Sequence, residues 1–237
     1  MPRTRPHTPR RYAKLAACSA LVFLNGCGSG IHASGPALLA TTAPTGVLRL
    51  VTIGNSITWH SPENDVSWSG DWGMAASNIN ADYAHLTATS LSLPLVRVNV
   101  AALESDPTTV DALTAQTAAL ITPGSAVVVE LGDNAKPGSN GRANFQAAYH
   151  QLLDAVATGK SLACTSTYWG ESSIDAIIQA ECILHHGSYI YIGDIYGSPI
   201  NTDSSTNTFS NPFVIMHPHD WGMNAIAVRV QQHILQP

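Results

Sequence analysis

Three short stretches carry residue types that could work together on an ester. Gly54-Asn55-Ser56-Ile57-Thr58 follows a β-rich run and sets a hydroxyl among backbone N–H groups where a strand hands over to a helix. Gly132-Asp133-Asn134 follows a second apolar run, and its Asn offers an amide donor that can stabilise an oxyanion. His217-Pro218-His219-Asp220 precedes a closing helical pattern, with Pro218 fixing the backbone beside an imidazole able to act as general base. A hydroxyl nucleophile, a base and an oxyanion donor are the parts of acyl transfer through a covalent intermediate. Each stretch alone has a plainer reading: a capping Ser, an Asx turn, a solvated histidine loop. The nucleophile elbow of α/β-hydrolases is excluded, because it needs Gly two residues after the Ser and Thr58 stands there.

The elements that must position these residues alternate along the chain. Apolar β-rich runs fall at 47–53, 95–100, 125–131, 161–165 and 188–192. Helical spacing covers 74–91, 110–121, 145–157, 173–183 and 220–235. The run at 125–131 is apolar nearly throughout, as expected of a strand buried on both faces. This alternation predicts one domain with a parallel sheet covered on both sides, its ligands at the carboxyl ends of the strands.

In this order and at these places, the three stretches resemble the SGNH/GDSL hydrolases, a family of esterases and lipases, over most of residues 48–235. The stretch 68–77, Trp-Ser-Gly-Asp-Trp-Gly-Met-Ala-Ala-Ser, looks like an exported bacterial branch. The resemblance implies a three-layer α/β/α sandwich around a parallel five-stranded sheet, a flavodoxin-like arrangement, and no cofactor. It implies Ser56 as nucleophile, His217 as base, and the Ser56 N–H with the Asn134 amide as oxyanion hole, with no metal. Two departures stand out. The family's Asp, three residues before the His, is replaced by Val214, leaving a backbone carbonyl or, less readily, Asp194 to orient the imidazole. Asp220 is read instead as a helix cap. The second block, 99–104, has no Gly, so its oxyanion donor is unassigned.

The first 27 residues are different in kind. Arg3, Arg5, Arg10, Arg11 and Lys14 precede an apolar stretch too short for a bilayer, which needs about 20 residues. This is the layout of an export signal. It ends at Cys27 in a lipobox-like sequence, with ordinary cleavage near Ala33 as the alternative. Residues 28–46 read as a flexible linker and 47–237 as the hydrolase domain. Without residues 1–27, 6 basic and 16 acidic residues remain, a net charge of −10 that argues against a nucleic-acid partner. The expected location is the periplasm, the cell surface or outside the cell, with membrane contact only through a lipid anchor. Cys164 and Cys182 then read as a disulfide.

The function expected is hydrolysis of a short acyl ester, acetyl first, on a carbohydrate. Trp59, Trp68 and Trp72 near the nucleophile could face sugar rings or fill the core. Alternatives are an O-acyltransferase and a non-catalytic glycan-binding lipoprotein with a degenerate site. A metal held by His217, His219 and Asp220, with His185 and His186 nearby, is a weaker rival, since no ligand set of known spacing is present.

Overall fold

The structure, a computed structural model, describes residues 37–136, 138–201 and 209–236. The expected export signal with Cys27, and residues 28–36, lie outside the described residues. Among the described residues, no helix is long and apolar enough to cross a membrane.

Five strands form one parallel sheet: β1 (Arg49–Gly54), β2 (Leu95–Asn99), β3 (Ser125–Glu130), β4 (Ser161–Thr165) and β5 (Ser188–Ile190), in the order β2-β1-β3-β4-β5. All six residues of β3 are buried, which is why that run is apolar without alternation. Its side chains divide between two cores. Ala126 and Val128 pack with Ala84 and Ala88 of α1 (Tyr83–Ser90) and Ile226 and Val230 of α7 (Asp220–Leu235). Val127 and Val129 pack with residues of α2 (Val110–Ala118), α3 (Ser139–Val156) and α4 (Ser172–Leu184). The result is the expected three-layer α/β/α sandwich. Each fully buried Val or Leu contributes about 1.5–3 kcal/mol, so the strands are held by both layers.

Two helices start away from the expected ranges: α3 begins at Ser139, six residues before the apolar spacing shows, and α1 begins late. The pattern at 74–91 yields a helix only from Tyr83, because Asp82 caps it by accepting from the His85 N–H at 2.7 Å. Before that cap, Ala75 has a positive φ and the chain is a loop. Two four-residue helices, α5 (Gly193–Tyr196) and α6 (Pro212–Ile215), are too short to show a period in sequence. Asn211 caps α6 by accepting from the Phe213 N–H at 2.9 Å, and Pro212 sits at its first turn.

Residues 37–46 belong to the segment read as linker. They are held to the domain: Leu38 and Ala43 pack on the core, the Thr41 N–H donates to the Ser90 carbonyl, and the Gln231 side chain donates to the Leu39 carbonyl.

Cys164 of β4 and Cys182 of α4 form a disulfide, with Cα atoms 6.1 Å apart. Closing a loop of this length contributes about 3 kcal/mol by restricting the unfolded chain. Replacing both cysteines with Ala is therefore expected to lower unfolding stability by about 3 kcal/mol. Denaturant titration of the parent and the double variant checks this.

Candidate active site

The carboxyl ends of β1 and β3 lie side by side and deliver the first two stretches to one place, and the chain between α6 and α7 brings the third. β1 is followed by a turn rather than a helix, in which Asn55 Oδ1 accepts from the Ile57 N–H at 2.9 Å. Gly54 has to be Gly: a Cβ there would stand 2.6 Å from the Glu130 carbonyl oxygen and closer still to the Thr58 hydroxyl. The turn sets Ser56 Oγ 2.8 Å from His217 Nε2, across 161 residues of sequence.

His217 is almost wholly buried, just after α6. Its Nδ1 lies 2.8 Å from the backbone carbonyl of Phe213. A carbonyl can only accept, so Nδ1 carries the proton and the Nε2 lone pair faces the Ser56 hydroxyl. The third orienting group is thus main chain. The Val214 side chain is packed among Trp68, Met74 and Ala75 and carries no acceptor to replace a carboxylate. Asp194 is bound by the Arg229 guanidinium at 2.6 and 2.8 Å. Asp220 does not cap its helix: its two oxygens accept from the N–H and hydroxyl of Ser77 at 2.7 and 2.6 Å, tying the loop before α1 to α7. Trp169 and Phe213 meet the imidazole edge-on, with centroids 5.3 and 5.5 Å away. Burial without a carboxylate partner pushes the His217 pKa down to about 4, against the pull of the Phe213 carbonyl.

Asn134 lies where β3 ends, and its side-chain amide donates to Glu104 Oε2 at 2.6 Å. An amide nitrogen has two hydrogens, so one remains to serve an oxyanion. Glu104 comes from the turn of 3-10 helix after β2 (Ala101–Glu104) and also accepts from the Gly132 N–H, the Asn134 N–H at 3.3 Å and Asn55 Nδ2 at 3.4 Å. Asp133 accepts from Asn55 Nδ2 at 3.4 Å and from the Tyr168 and Trp169 N–H groups at 2.8 and 3.3 Å. Glu130 accepts from the Thr58 hydroxyl at 3.1 Å. Burial raises the pKa of all three carboxyls, that of Glu104 to about 7. Gly132 approaches α4 with φ +121°, where a Cβ would stand 2.8 Å from Ile174.

Two clefts meet at the Ser–His pair. One, of about 690 Å³, is lined by Asn134, Arg142, Trp169, Phe213, Met216 and His217. The other, of about 400 Å³, is lined by Ser56, His60, Ala101, Ala102, Asn134 and Phe213. The Ser56 and Ala102 N–H groups donate to no other described protein group, and both residues line the second cleft.

Against solved structures, the fold compares as follows. An esterase of two domains, active on acetylated mannans and crystallised with mannopentaose, superposes with a TM-score of 0.52 at 11% identity, over 78% of this chain and 48% of that one. A family two carbohydrate esterase from Clostridium thermocellum, an active-site mutant, gives 0.51 at 15% identity, over 82% of this chain and 64% of that one. A Bacteroides ovatus protein described as GDSL-like gives 0.50 at 10% identity, over 78% of this chain and 97% of that one. The fold is that of the GDSL hydrolases. This chain spans about half of the two-domain esterase. No protein-family model and no curated protein matches the sequence.

Set on the GDSL fold, the sequence-stretch residues Ser56, Asn134 and His217 converge, while Trp68 is core and Trp72 is half-buried, with its Nε1 donating to the Ala76 carbonyl. Trp59 donates to Asp71 and carries the Arg97 guanidinium over its ring. His217, His219 and Asp220 do not form a metal set: His217 faces Ser56, His219 Nε2 faces the Ile215 carbonyl, and Asp220 holds Ser77. Sequence reading missed Glu104 and Trp169; it offered a backbone carbonyl behind His217 without saying which, and that carbonyl is the one of Phe213. Asn211-Pro212, a helix-start signal five residues before His217, was the available clue to the last.

Asn55 is the only neutral side chain bridging Glu104 and Asp133 among the described hydrogen bonds. Asn55→Asp would add a carboxylate to that cluster. The variant is expected to lose about 3 kcal/mol at pH 8 and less at pH 5, where the added group is protonated. Denaturant titrations at the two pH values test it, and equal losses at both would contradict the electrostatic cause.

Proposed function

We propose that this protein is a serine esterase that removes a short acyl group, acetyl first among them, from a carbohydrate. The observation that carries the reading is the 2.8 Å contact between Ser56 Oγ and His217 Nε2, at the carboxyl ends of the strands where two clefts meet. His217 takes the Ser56 proton as Oγ attacks the ester carbonyl. The Ser56 N–H and the remaining Asn134 N–H hold the oxyanion, and the Ala102 N–H is the candidate for the second block's donor. His217 then protonates the departing alcohol, and water attacks the acyl-enzyme by the same route in reverse. Support for a carbohydrate comes from the acetyl-mannan esterase that shares the fold, and from Trp169 in the larger cleft, an indole able to face a sugar ring. Export, by signal cleavage or through a lipid on Cys27, belongs to the same reading, since polysaccharides lie outside the cell. Acetyl transfer to a second sugar would use the same acyl-enzyme, and product analysis separates it from hydrolysis.

Hydrolysis of a short aryl acetate by the parent, with a loss of at least about 10³-fold in both Ser56→Ala and His217→Ala, is the expected result. Activity retained by folded Ser56→Ala would remove the assignment.

The pH profile gives a second check. The free imidazole is the working form, so a His217 pKa lowered to about 4 keeps the base competent below the usual histidine range. The acid limb of kcat/KM is expected to fall as pH drops through about 4, not at 6.5. A limb at 6.5 or above would mean that a negative group faces the ring during catalysis.

A further inference from the structure

Away from the active site, α3 and α4 pack side by side and present two pairs of side chains to each other. His150 and Asp154 are four residues apart on α3 and share one face of it, while Glu181 lies in the last turn of α4 and His185 is the residue that caps its C-terminus. His150 Nδ1 lies 2.8 Å from Glu181 Oε2. His185 Nε2 lies 3.0 Å from Asp154 Oδ1, and His150 Nε2 lies 3.5 Å from Asp154 Oδ2. One ligand atom each from His150, Glu181 and His185 falls within a 4.8 Å span. Ligands at 2.0–2.1 Å from a tetrahedral ion stand about 3.3 Å apart, so small side-chain rotations would close this set around zinc.

The hydrogen bonds around the cluster favour an ion. His185 Nδ1 lies 2.7 Å from the Glu181 backbone carbonyl and must donate to it, which turns a bare Nε2 lone pair toward the Asp154 carboxylate. Two acceptors 3.0 Å apart repel unless a proton or a metal cation stands between them. Carbonyl-bonded Nδ1–H is also the arrangement that fixes a ligating imidazole. Gln146 donates to the other oxygen of Glu181 at 2.8 Å, leaving Oε2 for the cluster. The Glu181 and His185 side chains are 7% and 8% exposed, whereas His150 and Asp154 are 45% and 65% exposed, so the cluster has a buried floor between the helices and a side open to solvent. The disulfide at Cys182 fixes α4 beside it.

We propose that His150, Glu181 and His185, with Asp154 as fourth ligand or as partner to both imidazoles, form a structural site for zinc or a similar borderline divalent ion that clamps α3 to α4. Imidazole with carboxylate suits zinc, cobalt or nickel better than calcium or magnesium, which prefer all-oxygen shells. The site is separate from the Ser56–His217 pair and does not depend on the esterase reading.

The test uses the full chain, stripped with chelator, and zinc or cobalt alone as probe. The parent is expected to bind one equivalent of zinc, to melt about 5 °C or more higher with zinc at a hundredfold excess over Kd, and to give cobalt the visible absorption of a four-coordinate ion. His150→Gln and His185→Gln, which keep a polar side chain at each position, are expected to lose the binding, the shift and the colour. Circular dichroism of the metal-free variants confirms that they are folded. No stoichiometric binding by the parent at about 100 µM zinc, equivalent to a Kd weaker than most structural sites, would overturn the proposal. Binding that survives both substitutions would overturn it as well, because the ion would then belong to other histidines.

Discussion

The geometry of the site depends on three carboxyl groups where the sheet ends, Glu104 and Glu130 buried and Asp133 half-buried. Glu104 gathers N–H groups from Asn55, Gly132 and Asn134, which come from the turns after β1 and β3. Asp133 gathers N–H groups from the chain after β4, and Glu130 holds Thr58 in the nucleophile's own turn. Four loops that a parallel sheet would leave independent are therefore tied at one level. Burying carboxylates is costly, and their raised pKa values express that cost. The N–H groups offset part of it, and a proton held within the cluster offsets more. The exchange fixes the Asn134 amide beside Ser56, where a free loop side chain would have to be ordered for each turnover.

The second constraint is the exchange of a carboxylate for a carbonyl behind His217. Both accept from Nδ1 and both select the tautomer that leaves Nε2 to Ser56. They differ in charge. A carboxylate stabilises the imidazolium that forms when the base takes its proton, whereas a carbonyl offers only a dipole. With Trp169 and Phe213 excluding water, the ring is left a weak base. Such a base transfers protons with less driving force at neutral pH but stays unprotonated in acid.

Much of the fold was legible because β3 and its neighbours are plain apolar runs between helical spacings, a pattern that admits one layered arrangement. The Ser, Asn and His stretches were legible for a different reason: each carries a local turn signal at an element boundary. What failed to show depends on contacts between distant parts. Glu104 lies inside a stretch read only for its missing Gly, and its partners are 28 to 49 residues away. The helix at 74–91 was overextended because Asp82, a cap, reads as one more polar residue within a helical period. The pair of helices that juxtaposes His150 with His185 is likewise invisible until the two pack.

The Phe213 carbonyl has a further consequence in the language of mutational genetics. A side-chain scan replaces what a residue carries beyond Cβ and leaves its carbonyl untouched. Such a scan would register Ser56 and His217 and find no third member, as though the site were a dyad. The heritable information for that third group resides one and two positions upstream, in the Asn211 and Pro212 that start the short turn of α6. Across variants of this sequence, the acceptor behind the imidazole is thus transmitted as a backbone shape, and the letters that encode it are not the letters that do the chemistry.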